Sequence, residues 1–237
     1  MRKINIWNKI VSLIFPGRCA VCDCVGFGEK GVCSSCEKKV HLLSGETCMI
    51  CGKKVKDGVV YCYDCKKKEH VFVQNIATFV YADIRESLYR FKYGGRAEYA
   101  QYYAKMTYAL HEKKIASWKA DAIVAIPLHK RRYRKRGYNQ AEEFARELSK
   151  LTGIPLERNC LERVKNTKPL KLLNVSQRQN NLKKAFLFVQ NDVKLNTIIL
   201  VDDIYTTGTT LDAAATVCAE GGVNAIYTIT VAVGRGF

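Results

Sequence analysis

A chain of 237 residues, 48% hydrophobic and 26% charged, has the make-up of one or two ordinary globular domains, which excludes a disordered or low-complexity protein. It holds no stretch of about 18 apolar residues, so no segment is expected to span a bilayer. Its formal net charge of +17 is unusual, and a charge that large repels itself unless it meets a polyanion such as nucleic acid, a phosphorylated metabolite or an anionic lipid surface.

In chain order, residues 4–15 form an amphipathic segment that stops at Pro16. Its apolar stripe is expected either to dock on the protein or to lie in a membrane interface. It lacks the continuous apolar run and small-residue cleavage site of a secretory signal, which points to a cytoplasmic protein, with peripheral contact at the inner membrane face as the alternative.

Nine of the 11 cysteines follow within residues 19–65. Eight of them make four C-x2-C knuckles: Cys19 and Cys22, Cys33 and Cys36, Cys48 and Cys51, Cys62 and Cys65. The first four recur, in register, 29 positions later. A knuckle brings two sulfurs to one face of a tight turn, and two knuckles complete a tetrahedral thiolate cage for Zn²⁺. Two closed structural zinc sites are therefore expected, with no open coordination position for catalysis. The repeat favours sequential ligation, and a cross-braced arrangement is the alternative. A disulfide scaffold would need an oxidising compartment. Eight thiolates around two ions would bring the net charge to about +13, still strongly basic. Cys24, Cys160 and Cys218 fall outside the pattern as packed or free thiols. Few large apolar residues occur in 17–70, so metal binding is expected to supply the missing folding free energy. Residues 1–70 are accordingly read as one module and 71–237 as a second domain.

In that second domain, strands are expected at 71–81, 122–126, 196–201 and 225–233, and helices at 84–92, 98–112, 139–151 and 209–220. Strands alternating with helices imply a parallel α/β sheet. Between the second strand and the 139–151 helix, the segment His129-Lys130-Arg131-Arg132-Tyr133-Arg134-Lys135-Arg136-Gly137-Tyr138 reads as a basic loop. It has three readings: a solvated surface loop, a clamp for a pyrophosphate leaving group and its magnesium, or a single-stranded DNA contact. In the last, Lys130, Arg131, Arg132, Arg134 and Arg136 would meet backbone phosphates while Tyr133 and Tyr138 stack on bases. The four histidines, at 41, 70, 111 and 129, form no metal or triad pattern.

The most informative segment is Ile198-Ile199-Leu200-Val201-Asp202-Asp203-Ile204-Tyr205-Thr206-Thr207-Gly208-Thr209-Thr210. Four apolar residues deliver two carboxylates to the carboxyl end of a strand, where ligands of open α/β sheets bind. A Thr/Gly turn then leads into a helix, whose free N–H groups and positive end suit a phosphate. Acids beside a phosphate cradle make electrostatic sense if they meet hydroxyls: a ribose 5-phosphate offers its diol to the acids and its phosphate to the turn.

This stretch closely resembles the 5-phosphoribosyl pyrophosphate (PRPP) motif of type I phosphoribosyltransferases. The resemblance implies a phosphoribosyltransferase-like parallel sheet flanked by helices. By it, Asp202 and Asp203 bind the ribose hydroxyls, Thr206, Thr207, Gly208, Thr209 and Thr210 hold the 5-phosphate, and Mg²⁺ accompanies PRPP. One aspartate would assist proton transfer. With the cysteine module, Arg136-Gly137-Tyr138-Asn139-Gln140, and the segments 161–169 and 178–186, nearly the whole chain from Phe15 is similar to the competence protein ComF family. That resemblance implies a zinc ribbon before a phosphoribosyltransferase-like domain, and a role in DNA uptake alongside competence proteins. Lys171 and Gln177 depart from the pattern, where glutamine and an acid are expected. Two functions follow: a PRPP-binding DNA-uptake factor that grips single-stranded DNA, or an active phosphoribosyltransferase in nucleotide metabolism with an unidentified acceptor and no direct DNA role.

Overall fold

The computed structural model describes residues 17–25, 31–164, 185–189 and 195–234. The amphipathic segment 4–15, Lys171 and Gln177, and most of 161–169 and 178–186 lie outside these residues. In chain order the elements are α1 (Ser34–Glu37), α2 (Tyr63–Lys66), β1 (Gln74–Val80), α3 (Tyr81–Tyr93), α4 (Tyr99–Ser117), β2 (Ala122–Ala125), α5 (Lys130–Arg136), α6 (Gln140–Thr152), β3 (Leu156–Glu157), β4 (Leu161–Arg163), β5 (Phe186–Phe188), β6 (Thr197–Tyr205), α7 (Thr209–Glu220) and β7 (Ala225–Val233). Five strands form one sheet in the order β1-β7-β6-β2-β3, with every pairing parallel. β4 and β5 pair antiparallel beside it. Residues 197–201 of β6 are all buried, as a central parallel strand covered on both faces requires.

Alternation along β6 sorts the core into two layers. Ile199 and Val201 pack with Phe79, Leu88, Phe91, Tyr103, Phe144 and Leu148 of β1, α3, α4 and α6. Ile198 and Leu200 pack on the opposite face with Leu211, Ala214 and Cys218 of α7 and Phe186 of β5. The cysteine module straddles the sheet at its β1 edge. Cys19, Ala20, Val32 and Cys36 join the first layer, whereas Leu43, Cys48, Cys51 and Cys65 join the second. The chain between the two halves crosses along β1 itself: Leu42 bridges Phe79 antiparallel and Leu43 N–H donates to the Thr78 carbonyl (2.8 Å). Part of an otherwise open edge is thereby covered.

Specific polar contacts fix both halves in place. Asp23 accepts two hydrogen bonds from Arg96 (2.8 and 3.1 Å) and one from Tyr99 (2.5 Å), and the Arg96 guanidinium foremost lowers its carboxyl to about 2. Buried Asn75 on β1 donates to the Cys51 carbonyl (2.9 Å) and accepts from Thr228 of β7 (2.9 Å). Among the described residues no helix is long and apolar enough to cross a membrane.

Three sequence expectations need revision. The final strand before the Thr/Gly turn runs to Tyr205 rather than Val201, because β6 keeps pairing with β7 as far as Tyr205 and Val233. The basic loop is a seven-residue helix, α5: the His129 side chain accepts from Arg131 N–H (3.2 Å) at its start, and Gly137, at φ +82°, ends it. The α4 helix extends to Ser117, beyond the expected 98–112.

Candidate functional site

The site is created where β2 leaves the sheet. β2 pairs with β6 through Ala125 and Val201, Ile126 N–H still donates to the Val201 carbonyl (2.9 Å), and Pro127 then has no N–H to give. Beyond Val201, β6 is paired with β7 alone among the described residues. The opened side begins at Asp202 and Asp203, at a carboxyl end where α/β sheets take ligands.

Asp203 pairs with Lys92 of α3 (Oδ2 to Nζ, 2.9 Å). Asp202 accepts a hydrogen bond from the Asp203 N–H (2.8 Å) and feels the charge of the same Lys92, with Arg163 of β4 a weaker influence. Burial, then the charge of Asp203, push the Asp202 carboxyl up to about 7. Burial works against the charge of Lys92, but the ion pair with Asp203 outweighs it and holds the ammonium above its ordinary range.

Beyond the acids, Thr206 and Thr207 are exposed and Thr209 and Thr210 half-buried. The Thr207 and Thr209 hydroxyls are 2.7 Å apart. Gly208 starts α7 at φ +72°, where an added Cβ would sit 2.6 Å from the Tyr205 hydroxyl and 2.9 Å from His70 Cε1. A side chain there is excluded both by conformation and by space. The first amides of α7 have no intrahelical acceptor and form the positive end of the helix, a ready anion site.

The basic residues reach the same edge of the sheet through α5. Arg136 donates to Tyr93 Oη (3.1 Å) and Gln140 Oε1 (2.9 Å) and lies over the Tyr93 ring at 4.8 Å, joining α5 to the end of α3 that carries Lys92. Arg132 is half-buried, and burial followed by the Arg136 charge depresses its pKa. Lys130, Arg131 and Arg134 are exposed. Leu128, Lys130, Tyr133 and Arg134 line a concavity of about 360 Å³ that does not include the acidic pair. No ion pair among the described residues joins Lys130, Arg131 or Arg134 to Asp202 or Asp203. Of the two tyrosines offered for stacking, Tyr133 is 46% exposed. Tyr138 instead donates its hydroxyl to the Phe91 carbonyl and packs on that ring, so its face is already committed.

The cysteines gather as two cages, Cys19, Cys22, Cys33 and Cys36, and Cys48, Cys51, Cys62 and Cys65, each with its sulfurs within 4.8 Å of one another. This grouping is sequential. All 11 cysteines are free, and Cys22–Cys33 and Cys51–Cys62 sulfur separations of 3.8 and 3.6 Å suit the edge of a ZnS₄ tetrahedron, about 3.8 Å for bonds of about 2.3 Å. Backbone N–H groups of Val21 and Cys33 point at Cys19 Sγ (3.4 Å each) and that of Cys62 at Cys48 Sγ (3.3 Å), the donor shell a thiolate wants. Both cages fit structural zinc.

Sequence reasoning missed four residues. Lys92 falls at i+8 on the apolar stripe of Ile84, Leu88 and Phe91, so a charge at a core-facing helical position was the available signal. His70, set aside for lack of a pattern, lies with Nδ1 3.0 Å from both Asp212 oxygens and Nε2 3.5 Å from the Tyr205 hydroxyl. Lys68 donates to Asp212 Oδ2 (2.6 Å) and to the Thr207 carbonyl (3.0 Å). Burial opposes the Asp212 charge, but hydrogen bonds from His70 and Lys68 hold its carboxyl below the usual range. These partners are 139 to 144 residues apart, and no local pattern announces them.

The raised Asp202 makes a stability prediction. Its folded pKa of about 7 exceeds the unfolded value of 3.8, so the native state binds more protons and stability from this group is lost as pH rises between the two. Asp202→Asn removes that cost. Thermal unfolding at pH 8 is expected to show a midpoint about 3–6 °C above wild type, an advantage that shrinks steadily toward pH 5. An equal advantage at both pH values would contradict the assignment.

Comparison with known proteins agrees with this architecture. Residues 10–66 match the double zinc ribbon domain and residues 97–236 the phosphoribosyl transferase domain. The chain is 33% identical over 202 residues to "Competence protein ComFC" of Bacillus subtilis, covering 82% of this chain and 80% of that protein. It is 29% identical over 223 residues to "Competence protein F" of Haemophilus influenzae, with 90% and 95% covered. It is 26% identical over 219 residues to "DNA utilization protein YhgH" of Escherichia coli K12, with 90% and 96% covered. A double zinc ribbon built onto a phosphoribosyltransferase sheet, and likeness along most of the chain, place this protein in the competence protein ComF family.

Proposed function

We propose that the protein binds PRPP with Mg²⁺ at the carboxyl end of β6, binds single-stranded DNA through its basic surface, and acts with other competence proteins in DNA uptake for natural transformation, on the cytoplasmic side of the membrane. The carrying observation is the juxtaposition of Asp202 and Asp203 with a turn that only glycine can complete at position 208. The ribose diol donates to the carboxylates. The 5-phosphate accepts from the amides and hydroxyls of residues 206–210 at the head of α7. Mg²⁺ would neutralise the pyrophosphate, which extends toward Lys130, Arg131, Arg132, Arg134 and Arg136 on α5. The same cations, with exposed Tyr133, suit a single strand, whose phosphates they pair and whose bases the ring stacks. The net charge of +17 and the names of the relatives support the DNA reading.

Transferase turnover is the second reading, favoured by Asp202, whose pKa of about 7 equips it to exchange a proton with an acceptor as pyrophosphate leaves.

Isothermal calorimetry of the full chain with PRPP and Mg²⁺ tests the pocket, and absence of binding ends the assignment. Fluorescence anisotropy with a labelled oligonucleotide tests the DNA contact: log K is expected to fall linearly with log salt, by about 0.7 for each phosphate neutralised. Replacing Lys130, Arg131 and Arg134 together by alanine should flatten that slope by about 2. A salt-insensitive signal would remove DNA from the account. Pyrophosphate release with a panel of amines and nucleobases decides turnover.

A further inference from the structure

Segment 66–71 connects the last zinc knuckle to β1, and three of its groups, the Lys68 and His70 side chains and the Val71 N–H, converge on the head of α7. Asp212, in the first turn of that helix, collects three donors from it: Lys68 Nζ (2.6 Å), His70 Nδ1 (3.0 Å) and Val71 N–H (3.2 Å). Lys68 also donates to the Thr207 carbonyl (3.0 Å). In a planar trans peptide the carbonyl and the following N–H point in opposite directions. Anchoring the Thr207 oxygen on Lys68 therefore turns the Gly208 N–H to the other side of the turn. His70 closes the remaining space: its Cε1 stands 2.9 Å from where a Cβ of residue 208 would be, its Nε2 is 3.5 Å from the Tyr205 hydroxyl, and its ring lies on Phe72 at 4.8 Å. The His70 side chain is only 3% exposed. The same Nε2 is 3.8 Å from Cys65 Sγ, a member of the second cage. Five residues of chain thus span a cysteine cage and a phosphate-type turn with hydrogen bonds at both ends.

From this geometry we infer that Lys68 and His70 are positioning residues that tie the second four-cysteine cage to the 206–210 turn, so that the turn keeps its anion-binding shape only while that cage is intact. The cage thereby becomes a metal- and thiol-dependent control on the site, and a ribose 5-phosphate is the ligand whose binding it governs. The ligand half of this inference rests on the proposed PRPP pocket; the ordering of the turn does not. The opposite cage, which packs on the other layer of the sheet, has no such connection among the described residues.

The experiment compares full-length wild type, Lys68→Met/His70→Phe, Lys68→Arg, Cys62→Ser and, as a control for lost surface charge, Lys67→Met. Each is read by metal content, by amide hydrogen exchange across residues 205–212, and by calorimetry with ribose 5-phosphate. Lys68→Met/His70→Phe should keep two zinc ions, yet exchange at the turn should quicken by about tenfold or more. Its affinity for ribose 5-phosphate should weaken by about tenfold, the effect of one charged hydrogen bond. Lys68→Arg, which retains both donations and leaves His70 in place, should stay close to wild type in both readouts, and Cys62→Ser should reproduce the loss with the tie residues present. Lys67→Met should match wild type. Unchanged turn exchange in both Lys68→Met/His70→Phe and Cys62→Ser overturns the tie. If the wild type takes no ribose 5-phosphate while turn exchange still responds, the tie stands and the pocket assignment falls. If all variants bind ribose 5-phosphate as wild type does, the pocket stands and the control is refuted.

Discussion

Asp203→Asn is expected to weaken binding of magnesium PRPP by about 10- to 100-fold, the loss of a charge-assisted acceptor for a ribose hydroxyl, and also to destabilise the protein. Lys92 is half-buried, its side chain 20% exposed, and its ammonium is held by the Asp203 carboxylate at 2.9 Å. Neutralising that partner leaves a desolvated charge, at a cost of about 2–3 kcal/mol once the nearby Asp202 charge is allowed for. For a chain of this size that amounts to a fall of about 4–12 °C in the thermal midpoint. Asp202→Asn should lose ligand to a similar degree while moving the midpoint the other way, because it relieves a buried acid instead of stranding a buried base. Opposite thermal shifts test the electrostatic arrangement of the two acids, and the shared loss of affinity tests their role toward the ligand. Wild-type affinity in Asp203→Asn, or shifts of one sign in both variants, would refute the electrostatic arrangement.

Metal removal should have the largest effect on stability. Each cage is expected to hold one Zn²⁺, and structural zinc contributes about 10–16 kcal/mol of apparent binding free energy in isolated zinc peptides. Here the cages also carry parts of both core layers. The cages differ at one ligand: Cys51 is fully buried where its counterpart Cys22 is exposed, and the other three pairs of ligands match in burial. A strong chelator should therefore release zinc in two phases, the first from Cys19, Cys22, Cys33 and Cys36 and the slower from Cys48, Cys51, Cys62 and Cys65. The slow phase should coincide with loss of cooperative unfolding and with exposure of β1, whose edge the 42–43 segment covers. A thiol-reactive or zinc-sensitive dye following release, beside near-ultraviolet dichroism, measures both. Fewer than two ions per chain, or a single release phase, would contradict the assignment.

Local chemistry was legible. Ligand spacing in the knuckles, the apolar run into Asp202 and Asp203, the Thr/Gly turn and the helix after it are all encoded within short windows, because thiolate cages, strand ends and helix starts are set by neighbouring residues. The basic segment was legible as charge but not as a helix. Its cap at His129 and its stop at Gly137 are weak signals beside six cations, and none of its residues is buried. Lys92 was readable only as an anomaly on an apolar stripe, and its purpose depends on Asp203, which lies more than a hundred residues further on.

From residue order alone came the two metal cages, the α/β class and the acidic pair with its turn, since each depends on groups a few positions apart. Only the tertiary structure decided that the two cages sit on opposite layers of one sheet, that Lys92 pairs with Asp203 beside Asp202, and that Lys68 and His70 reach the turn at 206–210. These pairings close across parallel crossovers, where contact is determined by the strand order β1-β7-β6-β2-β3 and by alternation along β6 rather than by proximity in the chain.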